Sequence, residues 1–171
     1  MREKLIRIFE SFVLFSFLGW IYESVWCEMI ENNHGFVNRG VLFGPWLPIY
    51  GTGIIIILFV LKKAGIQKPL MIFCTATCIS AVVELIGSYI MEILVGSFAW
   101  DYSDMFGNYQ GRIAVKPDMM FGFLTLIAVY GVMPYLKEYQ EGDQKKRMAC
   151  DAAVLILLVI DIGYFIIIII T

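Results

Sequence analysis

The stretch LMIFCTATCISAVVELIGSYIMEILV, residues 70–95, decides the fold class. It exceeds the roughly 20 apolar residues that a helix needs to cross ~30 Å of hydrocarbon, and a β-strand would end far sooner. Its only charged side chains are Glu84 and Glu92. Working outward, four more stretches have the same character, at about residues 5–30, 41–61, 119–136 and 149–170. Over the 171 residues, 60% are hydrophobic and 16% charged, and the mean hydropathy is +0.77. A soluble core of this length could not hide so much apolar surface, because surface grows too fast relative to volume. The expectation is an all-α integral membrane bundle of about five transmembrane helices, forming one transmembrane domain over residues 1–171.

The connections at 31–40, 62–69, 96–118 and 137–148 are short, and no repeat or linker divides the chain. The charged start could pass for the head of a signal peptide. The apolar stretch after it is too long, carries Glu10 and Glu23 and lacks a small-residue cleavage site, so it reads as a retained first helix. Lysine and arginine set the expected orientation. Arg2, Lys4, Arg7, Lys62, Lys63, Lys68, Lys137, Lys145, Lys146 and Arg147 fall on the side of the N-terminus, against Arg39, Arg112 and Lys116 on the other. That bias predicts N-inside and C-outside, with Thr171 outside.

The net charge of −2 suggests no nucleic-acid partner. No P-loop, zinc-ligand spacing or dinucleotide fingerprint is present, so no cofactor or metal is expected. Cys27, Cys74, Cys78 and Cys150 read as small packing residues without a disulfide framework.

Carboxylates inside apolar helices cost at least ~2.5 kcal/mol each at mid-bilayer, so they must face protein or water. Glu23 falls in the outer half of the first span, Glu84 near the middle of the third and Asp161 near the middle of the fifth. Ser80, Glu84 and Ser88 share one stripe at i, i+4, i+8. Each carboxylate is either a functional acceptor or an interhelical hydrogen bond that fixes packing. Glu10, Glu28, Glu92 and Asp151 lie near helix ends, where a solvated or capping role is expected.

The run Gly44-Pro45-Trp46-Leu47-Pro48-Ile49-Tyr50-Gly51-Thr52-Gly53 cannot be a smooth helix, because Pro48 lacks the amide that Gly44 would accept. Either the second helix is interrupted in its outer half, freeing backbone groups for a ligand, or it starts late, after Pro48. The outer loops supply Asn33, His34, Asn38 and Arg39, then Trp100, Asp101, Tyr102, Ser103, Asp104, Asn108 and Arg112. An interfacial aromatic belt accounts for Trp100 and Tyr109. His34 alone makes no metal site. Glu23, Glu84 and Asp101 could hold a hard cation through oxygens, or Arg39 or Arg112 could neutralise a buried glutamate.

Several of these motifs occur together elsewhere. Phe17-Leu-Gly-Trp-Ile-Tyr-Glu-Ser24, Phe36-Val-Asn-Arg-Gly40, Gly44-Pro45, Pro48-Ile-Tyr-Gly51 and Trp100-Asp-Tyr-Ser103 resemble the small bacterial membrane proteins of the CmpB-like, type IV ABC-transporter permease family. The resemblance runs from about residue 12 to residue 113. It departs at Met105-Phe106-Gly107, where the family pattern has a proline turn, and at Phe121-Gly122, where it has Trp-Gly. It implies a multi-pass protein of the bacterial cytoplasmic membrane. It marks Glu23, Asn38, Arg39, Gly40, Gly44, Pro45, Pro48, Tyr50, Gly51, Glu84, Trp100, Asp101 and Tyr102 as motif positions.

The expected function is a transport component with a polar pocket in the outer half of the membrane. Glu23 and Glu84 would accept a proton or cation there, Arg39 would contact an anion or act as counter-ion, and Asn38, Tyr50, Asp101, Tyr102 and Arg112 would line the site. A separate ATPase subunit, the lipid bilayer and further copies of the chain are the expected partners. Two alternatives are a membrane enzyme acting on a lipid or polyprenyl phosphate and a non-catalytic regulator or assembly partner. No nucleophile–base pair names catalytic residues, so the sequence leaves open whether the protein is an enzyme.

Overall fold

The computed structural model describes residues 2–31, 35–40, 43–97 and 100–170. Asn33, His34, Val41 and Thr171 therefore lie outside the described residues. The described chain is helical: α1 (Arg2–Ile21), α2 (Pro48–Ala64), α3 (Pro69–Val95), α4 (Val115–Ile127), α5 (Met133–Glu141) and α6 (Gln144–Ile170). Wider π-type turns carry α1 onward through Tyr22–Glu31 and join α4 to α5 through Ala128–Val132. The only strand-like pairing among the described residues is one bridge between Tyr109 and Ile113. Four helical stretches are long and apolar enough to cross a membrane: Arg2–Met29, Pro69–Val95, Val115–Glu141 and Gln144–Ile168.

Two differences from the expected spans have clear causes. The second span, expected at 41–61, is a 17-residue helix beginning at Pro48. Proline suits a first helical position because its missing N–H would have no intrahelical partner there. At 1.5 Å per residue α2 is about 25 Å long, shorter than the ~30 Å hydrocarbon layer. The second difference is the expected loop at 137–148, which is mostly helix. Glutamate, lysine, glutamine and arginine are good helix formers, so the polar composition marks where apolar character stops, not where the helix stops. The chain breaks only at Gly142 and Asp143, and Asp143 Oδ1 caps α6 by accepting from the amides of Lys145 (2.9 Å) and Lys146 (3.4 Å).

The chain packs as two units, Met1–Thr52 with Leu136–Thr171, and Gly53–Tyr135. The first has a core of Trp46 and Leu158, with Phe9, Val13, Phe17, Val154 and Phe165 against it. The start of α2 reaches α1 through two glycines. A Cβ at Gly19 would lie 2.2 Å from the Tyr50 ring, and one at Gly51 would lie 2.5 Å from the Phe12 carbonyl oxygen and 2.4 Å from Ser16 Oγ. Small residues allow backbones to approach this closely. Gly51→Ala should therefore destabilise the protein by about 1–3 kcal/mol, since backbone cannot rotate away as a side chain can. A thermal unfolding midpoint in detergent checks this, and an unchanged midpoint would remove the close approach.

The second unit is built on α3 packed against α4. Buried residues Ile72, Ala76, Ser80, Glu84 and Ser88 recur every fourth position, so one face of α3 turns inward. Pro69 opens the helix, and Gly96, at φ 77°, closes it by donating to the Glu92 carbonyl. A Cβ at Gly122 would lie 2.4 Å from Thr77 Oγ1 and 2.8 Å from the Phe73 ring, so α4 lies close upon α3. Ile57, Leu61, Ile72 and Ala76 form the apolar core, with Ile66, Ile79, Leu126 and Val129 against it.

Candidate functional site

Within the first unit, Glu23 stands in the first of the wider turns that follow α1. π-type turns are rare and recur at functional positions because they displace side chains from the regular helical stripe. The Tyr50 hydroxyl donates to Glu23 Oε1 at 2.5 Å, across the α1–α2 contact that Gly19 and Gly51 permit. Arg39 donates its amide to Ser24 Oγ (3.0 Å) and directs its guanidinium Nε to Glu28 Oε1 (3.4 Å). Glu28 is buried. It is an ion-pair partner, where a solvated carboxylate near a helix end was expected.

Asn38 works as a clasp. Its Oδ1 accepts from Trp20 Nε1 (2.7 Å) and from the Gly40 amide (3.0 Å), and its Nδ2 donates to the Phe43 carbonyl (3.2 Å). The backbone ahead of α2 is non-helical, as the Gly/Pro run predicted, and its amides have an internal acceptor. Phe43 N donates to Asp161 Oδ1 (3.0 Å) and Gly44 N to Asp161 Oδ2 (2.8 Å). Asp161 is thus an interhelical acceptor from α6.

Within the second unit, Glu84 is 4% exposed. The Tyr102 hydroxyl donates to its Oε1 at 3.3 Å, and Asp118, in the first turn of α4, is a neighbouring carboxyl. Arg112 is buried one turn along the same α3 stripe. Its Nη1 donates to Ser88 Oγ (3.2 Å), its Nη2 pairs with Glu92, and its guanidinium lies 4.1 Å from the centre of the Tyr89 ring. Its carbonyl accepts from Trp100 Nε1 (2.7 Å). Asp101 is exposed and closes a turn, with Oδ1 accepting from Ser103 Oγ (2.6 Å) and Ser103 N (2.9 Å). The Ser103 hydroxyl, followed by its amide, holds the Asp101 carboxyl below the ordinary aspartate range. Gly111, at φ 69°, leaves room for that carboxylate, which a Cβ there would meet at 2.5 Å.

Glu23, Asn38, Arg39 and Tyr50 belong to the first unit, and Glu84, Asp101, Tyr102 and Arg112 to the second. Tyr50 meets Glu23, and Tyr102 meets Glu84. Asn38 and Asp101 hold loops. Among the described residues no three His, Cys, Asp or Glu side chains gather as a metal site. None of the four cysteines is in a disulfide.

Sequence reasoning missed Asp118, which it left at the end of a loop, and a second cluster in the first unit. There Arg147, 6% exposed at its side chain, lies 2.8 Å from Glu10 Oε1 and 3.3 Å from Glu3. Its Nη1 also donates to the Gln140 carbonyl, and Gln140 Nε2 donates to the Arg7 carbonyl (3.1 Å). The Asp151 carboxyl is a neighbour of Glu10. The spacing of Arg147 and Asp151, one turn apart, was the one local signal.

A family model covers residues 10–166 of this chain. The chain belongs to the family described as "Putative ABC-transporter type IV". Neither a curated protein nor a solved structure matches it. Family membership extends the resemblance past residue 113 to include α4, α5 and most of α6, and with them Asp118, Arg147 and Asp161.

Proposed function

We propose that this protein is the permease-like component of a transport system in the bacterial cytoplasmic membrane. Its N-terminus faces the cytoplasm, and it works as an oligomer with a separate ATPase subunit. The sequence holds no P-loop, so energy from ATP must come from a partner chain. In this reading Glu23 and Glu84 accept a proton or cation, each beside the tyrosine that donates to it. Arg39 and Arg112 supply positive charge, each within its own unit, and Asn38 in the first unit and Asp101 and Tyr102 in the second shape the loops there. The observation that carries it is a buried glutamate at mid-span of an apolar helix, Glu84, with a polar partner from a loop. Intramembrane carboxylates of this kind mark ion and substrate routes.

One set of contacts favours a second reading, a non-catalytic assembly partner. Arg39 pairs with Glu28, Asn38 bonds to Trp20 and Gly40, Arg112 bonds to Ser88 and Glu92, and Asp161 bonds to two amides. Polar groups engaged in this way lock helices together.

Mass spectrometry of material that co-purifies in mild detergent separates these readings. The comparison is between wild type and folded Glu23→Gln and Arg39→Ala variants. The transport reading expects a solute or ion retained by wild type and reduced at least tenfold in Glu23→Gln. A retained lipid phosphate would point instead to a membrane enzyme. If nothing specific is retained and both variants lose thermal stability, the assembly reading stands.

A further inference from the structure

We infer that Met105 and Phe106, at the tip of the loop between α3 and α4, form a membrane hook. The hook seats in the boundary between headgroups and acyl chains, beside the first turn of α4. The inference goes beyond the transport reading and does not rest on it. It holds whichever way the chain is oriented, because the loop lies at the same end of α3 and α4 in both cases.

Phe106 is 86% exposed, more than any other large apolar side chain among the described residues, and Met105 beside it is exposed as well. A lone apolar side chain on a surface needs no explanation. This tip is neither alone nor loosely held. Met105 N donates to the Tyr102 carbonyl (2.9 Å), and the Met105 carbonyl accepts from Asn108 Nδ2 (3.0 Å) and Asn108 N (3.3 Å). The Phe106 carbonyl accepts from Val115 N (3.4 Å), at the start of α4. Gly107 packs on the same valine, where a Cβ would lie 2.6 Å from Val115 Cγ2. Non-helical backbone can approach an apolar layer only where protein satisfies its polar groups. At the tip, Met105 N and the carbonyls of Met105 and Phe106 are satisfied in this way.

What covers the tip follows from the surface that it continues. Val115, Met119, Phe123 and Ile127 are exposed at every fourth position, so they make one apolar stripe along a helical stretch long enough to cross a membrane. Through its bond to Val115, Phe106 carries that stripe past the end of the helix. At 1.5 Å per residue, the stretch from Val115 to Leu136, just before Lys137, is about 30 Å long, which matches the hydrocarbon core. Val115 therefore stands at the boundary, and the tip stands there with it. Asp104 directly precedes Met105 and is exposed, so the tip goes no deeper than the headgroups, since a carboxylate stays out of hydrocarbon. Large apolar side chains set at that depth bind the boundary region by burying apolar area. The same loop carries Tyr102 to Glu84 and Arg112 to Ser88. Lipid at the tip thus helps to hold both residues on α3.

Phe106→Trp in proteoliposomes tests the hook, with the emission of the native tryptophans in wild type subtracted. The added emission should be blue-shifted. Phospholipids brominated near the top of the acyl chain should quench it roughly twofold or more beyond those brominated near the chain end, and acrylamide in the water should quench it weakly. Met105→Trp should give the same pattern, and it decides the matter if Phe106→Trp fails to fold. Emission quenched by acrylamide and by neither brominated lipid would place the tip in water and overturn the inference. Emission quenched by none of the three would also overturn it, because the tip would then be covered by protein, such as a second copy of the chain. No transport is measured, so failure here leaves the transport reading where it stands.

Discussion

Arg147→Met should lower the stability of this protein by about 3–5 kcal/mol, the usual cost of removing one partner from a buried ion pair. The guanidinium holds Glu10 through both Nε (2.9 Å) and Nη2 (2.8 Å), and it also reaches Glu3 and the Gln140 carbonyl. Methionine fills a similar volume and leaves Glu10 buried beside Asp151 with no cation. The size of the loss comes from that orphaned charge, so Glu10→Gln combined with Arg147→Met should recover most of it. Arg147→Lys should recover only part, because a compact ammonium cannot reach Glu10 Oε1, Glu3 and the Gln140 carbonyl together as the planar guanidinium does. Unfolding midpoints of wild type, Arg147→Met, Glu10→Gln and the double variant in one detergent form the cycle. Equal losses for the single and double variants would show that packing, not charge, sets the cost.

Asp161→Ala should be the next most damaging change. It leaves the part-buried Phe43 and Gly44 amides without their acceptor, at up to about 1–3 kcal/mol for each amide that water cannot reach. These two bonds, together with the ring contact of Phe43 and Tyr164 (4.6 Å), fasten the non-helical lead into α2 onto α6. Asp161→Asn keeps one acceptor oxygen and should lose about half as much. Hydrogen exchange at the amides of residues 43–47 locates the effect. Exchange should accelerate there in Asp161→Ala and stay slow in α3. If protection at 43–47 is unchanged, contacts other than Asp161, among them the Asn38 bond to the Phe43 carbonyl, hold the lead into α2.

The helices were legible because the signal for a span is local. Residues 70–95 carry only two charges and are long enough to cross a bilayer, and no distant contact is needed to read that. The stripe of Ser80, Glu84 and Ser88 was legible for the same reason, since residues four apart share a helix face whatever the helix packs against. Proline chemistry likewise marked Pro48 as a place where a helix could begin. The polar helix ends were less visible. Residues 137–141 and 144–148 are helical because of their intrinsic propensity, which a hydropathy reading ignores.

Sequence alone therefore determined the all-helical class, the apolar spans and the list of carboxylates that needed partners. The tertiary structure alone decided the partners. Glu10 meets Arg147 across 137 positions, Asp161 meets Gly44 across 117, and Asp118 meets Glu84 from the neighbouring helix. No periodicity encodes such pairings, because they depend on which helix faces come together and at what height. Those are set by where small residues such as Gly19, Gly51 and Gly122 let backbones approach. A carboxylate in an apolar helix announces that it must be satisfied, and only the packing of the other helices says by what.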